Sequence, residues 1–238
     1  MSKKLEENSI FNEKTQAYLV AKYYNYLVEA FGERGEQAFI NATIYYATQR
    51  GRRMAQRAIR DGKELNFETY MNYGEWISTE YTKNLRQAND NHIIENDKDF
   101  VIEINTCPWH LQFNEMNCEK AGMVYCKYLD SSICRGFNPS LIYDVEKFLH
   151  TDNSCIHRIH NANMVNYKPI DKDKANIKPF VYHCAHLYWS FKEVITSIFK
   201  YEGKLISDKV LKDFIDDYGM EAGDRLISYR QENFNIIF

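Results

Sequence analysis

The chain has 238 residues, 45% of them hydrophobic and 26% charged, with a formal net charge of −3. That length and composition fit a folded chain with a sizeable core and exclude a disordered polymer. Without a basic block, neither nucleic acid nor an anionic membrane is an expected partner.

The opening MSKKLEENSIFNEK is polar and lacks the apolar stretch of a signal peptide. No run approaches eighteen apolar residues, so no membrane span is expected. A cytoplasmic location follows as the expectation, with the six cysteines as free thiols rather than a disulfide framework. Ten glycines and four prolines favour long helices.

From 13 to 31, Ala17, Val20, Ala21, Tyr24, Leu27, Val28 and Phe31 recur at steps of three and four, the stripe of an amphipathic helix. "FGERG" interrupts it. Ile40, Ile44, Ala47, Gly51, Ala55 and Ala58 then form a second stripe, ending near Asp61-Gly62. Gly51 lies on that stripe, where close approach of another helix would explain it. A third helix is expected over 67–88. "NDNHIIENDKD" reads as a polar connector. "DFVIEINT" alternates and reads as a strand. A helix follows Pro108, interrupted at Gly122. "SLIYDVEKFL" and "SCIHRIH" are two further strands joined by "HTDN". In the last, Cys155, His157 and Ile159 point one way, and Ile156, Arg158 and His160 the other. After a polar loop, helices resume at Phe180 and run through Trp189 to Phe199, then from Ile206 to about Tyr229.

The sum is an α+β chain, mostly helical, forming a single domain over 1–238. N-terminal helices occupy 1–90 and a β-α-β-β core with a small antiparallel sheet occupies 99–160. C-terminal helices fill 178–230. The helical ends repeat one pattern. Phe31, Gly35, Gly51 and Arg57 recur as Phe199, Gly203, Gly219 and Arg225, each pair 168 residues apart. Either a duplicated helix-glycine-helix unit or chance between glycine-capped helices produces it.

Four of the six cysteines fall between Cys107 and Pro139. Cys126 and Asp130 are one turn apart on a helix face. Cys107 ends the first strand and Cys155 opens the last, so the cleft between sheet and helix is the expected site. The cysteine spacings contain no close pair of the C-x2-C kind, and "HCAH" (His183, Cys184, His186) is too tight for a helical i,i+4 pair, so no metal and no cofactor are expected. A nucleophilic cysteine and a water-mediated hydrolysis with Asp130 as base both stay open. Any single cysteine taken alone is more simply a small core residue.

The stretch "CPWHLQFNEMNCEKAGMVYCKYLDSSICRGFNPSLIYDVEKFLHTDNSC" resembles the L-2-amino-thiazoline-4-carboxylic acid hydrolase family. Cys107-Pro108, Cys126, Asp130, Asn138-Pro139 and Cys155 carry the resemblance, and the "FGERG" and "HCAHLYW" helices extend it over most of the chain. One departure is Thr151-Asp152, where the family has Gly; Asp also suits a turn. The core is similar, too, to a vinyl-reductase-type small-ligand-binding or metal-sensing module without catalysis, the alternative function.

The resemblance implies a hydrolase opening a small cyclic amidine or amide, such as 2-amino-thiazoline-4-carboxylate to N-carbamoyl-cysteine. Cys126 is then the candidate nucleophile and Cys107 the second choice. Asp130 is the amidinium partner or base, and Asn138 a group to hold a tetrahedral intermediate. Cys155, Arg158 and His183 are expected at the substrate, with Arg53, Arg57 and His186 as further candidates for binding or for a helix end. The expected partner is a small-molecule substrate, without nucleic acid or membrane; homo-oligomerisation stays open.

Overall fold

The computed structural model describes residues 10–237, apart from 166, 168 and 170. Helices α1 (Glu13–Phe31) and α2 (Glu33–Arg60) follow the two expected stripes. Asn12 caps α1, its side chain accepting from the backbone N–H groups of Lys14 and Thr15. Two short helices follow, α3 (Phe67–Asn72) and α4 (Glu80–Asn84), then strands β1 (Asp90–Asn96) and β2 (Phe100–Thr106). Next come α5 (Pro108–Glu115), α6 (Glu119–Phe137), β3 (Ile142–Lys147) and β4 (Cys155–His160). A long helix α7 (Phe180–Tyr218) and a short α8 (Met220–Ser228) close the chain.

The α+β, mostly helical architecture agrees with the sequence, but three local expectations are corrected. The connector "NDNHIIEN" is β1, the edge of a four-stranded antiparallel sheet ordered β1-β2-β4-β3. Nearly all its residues are exposed, so it offers no apolar face to read, and its polar side chains suit an edge. The single helix expected over 67–88 unwinds between α3 and α4. There Glu75 is fully buried between Arg53 and Arg57, and Thr79 bonds the Glu13 carboxylate through its backbone N–H (2.8 Å) and its hydroxyl (2.6 Å). Those buried polar contacts outweigh continued helix. The break after Pro108 falls at Asn117, in the left-handed region (φ 52°), and not at Gly122. Gly122 instead makes room for the His150 ring: a Cβ there would lie 2.3 Å from His150 Cε1.

Two apolar clusters result. The larger joins α1, α2, α6 and α7 through residues such as Leu19, Tyr23, Leu27, Phe39, Tyr125, Tyr188 and Phe191. The smaller packs the sheet on α2 and α6 through Met54, Ala58, Phe67, Phe100, Ile133, Phe137 and Ile159. α2 and α6 meet backbone to backbone. A Cβ on Gly51 would lie 2.0 Å from the Ile133 carbonyl oxygen, and one on Gly136 would lie 2.5 Å from that of Thr48. This is the close approach that Gly51 suggested.

The first two pairs of the 168-residue repeat have a geometric counterpart, but the Gly51–Gly219 pair does not, since Gly51 lies inside α2 while Gly219, with φ 93°, ends α7. Gly32, between α1 and α2, has φ 55° and ψ −130°; Lys200, where α7 breaks, has φ 55° and ψ −123°. Gly35 and Gly203 each press against the preceding helix at equivalent carbonyls, those of Leu27 and Ile195. Phe31 stacks on Phe199 with ring centroids 3.8 Å apart, and Tyr23 meets Phe191 at 5.1 Å. Residues 168 apart thus touch each other, as positions near a two-fold axis must. The flanking helices form two similar hairpins facing one another.

Candidate active site

Between the inner face of the sheet and α6 lies a cleft of about 220 Å³. β2 contributes Ile102 and Ile104; β4 contributes Cys155 and His157. Register fixes that face, since Ile104 pairs with Cys155 and Ile102 with His157. From α6 come Tyr125, Cys126, Leu129, Asp130 and Ile133, in steps of one turn. Cys107 enters at the end of β2, where Pro108 starts α5. Trp76 and Trp109 meet edge to face, 5.2 Å apart, at one wall, and Tyr70 and Tyr143 form another. Arg50 from α2 and Lys172 from the loop after β4 complete the lining.

Four sequence-selected residues, Cys107, Cys126, Asp130 and Cys155, therefore share one cleft. Asn138, Arg158 and His183 lie outside it. Asn138 caps the end of α6; its side chain donates to the Leu65 carbonyl (2.7 Å) and accepts from the Ser140 N–H (2.9 Å). Arg158 projects from the other face of the sheet, as the strand alternation required, and pairs with Glu146, Glu95 and Asp99. His183 is buried one turn into α7 and its Nε2 donates to the Glu75 carbonyl oxygen (3.2 Å). Burial, then the charge of Arg50, lower its pKa to about 3. His186 donates to Gln49 Oε1 (2.8 Å) and likewise faces the protein interior. Arg53 and Arg57 are spent on Glu75, at 2.6 Å and 2.9 Å.

All six cysteines are free thiols. Burial pushes the Cys107 thiol up to about 12; the backbone N–H groups of His110 and Trp109 pull against that, while Cys155 and Asp130 add to it. Burial also holds the Cys126 thiol well above its ordinary range, and Cys107, Asp130 and Cys155 all push it further. Cys155 is raised by burial, opposed by the Leu149 N–H at 3.2 Å. At neutral pH all three rest protonated. His157 is held neutral by burial, and its Nδ1 lies 2.6 Å from the Tyr143 hydroxyl.

The charges are more telling than the thiols. Asp130 makes no hydrogen bond or ion pair among the described residues. Arg50, 6% exposed, has one hydrogen bond among the described residues, a 3.4 Å contact with the Tyr46 hydroxyl; its guanidinium carbon lies 5.8 Å from the centroid of that ring, and its Nε has no partner among the described residues. Lys172 donates to the Trp76 carbonyl (3.0 Å); burial, then Arg50, lower its pKa to about 8. Among the described residues neither cation has a carboxylate within 4 Å. Arg50 had one legible signal: it adjoins the glycine on the buried stripe of α2. Lys172, in an aperiodic polar loop, had none.

A model of the L-2-amino-thiazoline-4-carboxylic acid hydrolase family matches residues 12–155. No curated protein and no solved structure matches the chain.

Proposed function

The chain belongs to the L-2-amino-thiazoline-4-carboxylic acid hydrolase family, and from that premise we propose that it hydrolyses a small cyclic amidine, 2-amino-thiazoline-4-carboxylate being the leading substrate. The observation that carries the reading is Asp130, an unpaired carboxylate inside an aromatic-walled cleft, beside three neutral thiols. An exposed carboxylate needs no partner; one inside a cleft is offered to a ligand.

The reaction adds water to the ring carbon between nitrogen and sulfur. The new C–O bond gives a tetrahedral centre, the C–S bond breaks, and the sulfur leaves with its electron pair and takes up a proton. The product is N-carbamoyl-cysteine. Asp130 binds the protonated amidine and, as that charge disappears, accepts the proton of the incoming water. The protonation of the three thiols favours water over a resting thiolate as nucleophile. They line the cleft and leave the amidinium no competing anion. Tyr125, whose buried hydroxyl has no partner among the described residues, is the available donor to the tetrahedral oxygen.

Incubation of the purified protein with 2-amino-thiazoline-4-carboxylate, with hydantoins and with cyclic amidines, read by product mass and, for thiazolines, by thiol release, tests the reading. Asp130→Asn should lower kcat/KM on the order of a hundredfold, about 3 kcal/mol of transition-state stabilisation, with an unchanged circular dichroism spectrum. Wild-type turnover by folded Asp130→Asn would refute the site. Cys126→Ser should retain most of kcat; a hundredfold loss in a folded variant would restore it as nucleophile. Ligand binding without turnover of any compound would instead support a binding module.

A further inference from the structure

We propose that Arg50 and Lys172 form an anion-recognition subsite that grips the substrate's carboxylate and makes the cleft specific for a small dipolar acid. The identity of that acid rests on the hydrolase reading; the binding of an acid here does not.

Helix α2 carries Arg50, Arg53 and Arg57 toward the same interior, but among the described residues Glu75 is the one carboxylate paired with any of them. Both Glu75 oxygens are taken, Oε1 by Arg53 and Arg57 and Oε2 by Arg53. Among the described residues Arg50 is left with one long contact to the neutral Tyr46 hydroxyl, that residue's ring at 5.8 Å, and an unpartnered Nε, and with no carboxylate. Its guanidinium is always charged, and a buried charge without a counter-ion is costly. The chain then places a second cation beside it. Lys172 reaches over Gly74, where a Cβ would lie 2.8 Å from its Nζ, and ends on the Trp76 carbonyl. Two like charges at one end of an enclosed cleft repel unless an anion bridges them.

The cleft also holds the anion that could have neutralised them. Asp130 lines the same cavity, yet no ion pair joins it to Arg50 or Lys172. One small cavity thus keeps a free carboxylate and two free cations apart. That is the complement of a ligand with a cationic amidine at one end and a carboxylate at the other. A guanidinium fork suits a planar carboxylate and an ammonium adds a point charge. The candidates chosen from sequence for this task, Arg158, Arg53 and Arg57, are already paired with carboxylates of the protein.

The test is calorimetry and steady-state kinetics with two probes, 2-amino-thiazoline-4-carboxylate and its decarboxylated analogue 2-amino-thiazoline. Wild type should prefer the acid. Lys172→Met should weaken acid binding by about 10- to 100-fold, the worth of one charge-assisted hydrogen bond. Its preference for acid over amine should shrink by the same factor. Lys172→Arg should keep most of the preference, and Arg158→Gln all of it. Arg50→Lys, which keeps the buried charge, guards against failure of Arg50→Gln to fold; it should raise KM for the acid more than it lowers kcat. The proposal is overturned if wild type shows no preference for the acid. It is also overturned if folded Lys172→Met and Arg50→Lys lose affinity for both probes equally or for neither. Wild type that binds the acid without opening it keeps the subsite and sinks the hydrolase reading; turnover with undiminished acid preference in both variants does the reverse.

Discussion

Gly51→Ala perturbs the crossing of α2 and α6 by a single methyl group. The added carbon would stand 2.0 Å from the Ile133 carbonyl oxygen and 2.5 Å from the Phe137 nitrogen, where ordinary contacts begin at 3.4 Å. Both obstacles are backbone atoms, so no side chain can swing aside and the helices must part by about 1.4 Å. Overpacking costs about 3 kcal/mol at the upper end of its usual range, and alanine returns about 1 kcal/mol of helix propensity. The net loss of about 2 kcal/mol corresponds to a fall in Tm of about 4–8 °C for a chain of this size. Catalysis should suffer more, because Arg50 rides on α2 and Cys126 and Asp130 ride on α6. Parting the helices shifts the lining residues of α2 relative to those of α6, and a shift of about 1 Å in such a site can cost on the order of a hundredfold in rate. Gly62→Ala is the control. It strains a positive φ of 67° in open space, so it should lower Tm while leaving kcat/KM intact. Thermal melts and kinetics on both variants separate spacing from stability. If Gly51→Ala melts and turns over like wild type, the tight crossing does not hold the site together.

Lys200 occupies the backbone conformation that glycine takes at position 32, so Lys200→Gly should stabilise the protein by about 1 kcal/mol in chemical denaturation; a loss of stability would contradict the equivalence of the two breaks. Glu75 meets an opposing pair of effects: burial raises its pKa, but Arg53 first and then Arg57 overcome this and hold it at about 2. Its stabilising contribution is therefore present above its unfolded value, near 4.3, and is lost as pH falls toward 2. Glu75→Gln should remove that acid-dependent part of a denaturation series and destabilise at pH 7 by about 3–5 kcal/mol, leaving Arg53 and Arg57 buried without a counter-ion; a parallel acid limb in the variant would refute the assignment. Lys172 is a cation below about 8. Acid binding in free protein should weaken as pH rises through that value, while the bound carboxylate holds the proton to higher pH. Of the groups that share the cleft, Arg50 stays charged, the Cys107 thiol lies near 12, and burial holds the Cys126 and Cys155 thiols above their ordinary range and His157 below its own. KM for the acid should rise above pH 8 in wild type and stay flat in Lys172→Met.

The helices α1 and α2 were legible because apolar side chains recur on one face, and β2, β3 and β4 because inward and outward residues alternate. β2 and β4, together with the helix expected to resume after Gly122, converge Cys107, Cys126, Asp130 and Cys155 on one cleft. What escaped obeys no period. β1 carries one isoleucine on each side, Ile93 and Ile94, among polar residues, so neither side reads as an apolar face, and the Glu75 segment is unwound by partners on α1 and α2 far away in sequence. Glycine was read as a helix breaker at Gly122, where it makes space for His150, while Asn117 supplies the break. Arg158 looked available because sequence shows a cation's spacing but not the carboxylates across the sheet that engage it. Arg50 was passed over because a charged residue on a helix is ordinarily solvated, and nothing local says that this one is enclosed.

The two facing hairpins also dictate an order of events during synthesis. The inner side of α1, with Leu19, Tyr23 and Leu27, finds its cover on α7; the Tyr23 hydroxyl donates to the Tyr188 carbonyl 165 residues later. At about 5–20 residues per second of translation, that apolar side waits on the order of ten seconds or more for its partner. The segment 12–155 leaves the ribosome with half a bundle and no Lys172. Closure must come late and over a long loop, a slow step by its entropy. During that interval the nascent chain presents the surface that a chaperone binds or that another chain's α7 could capture.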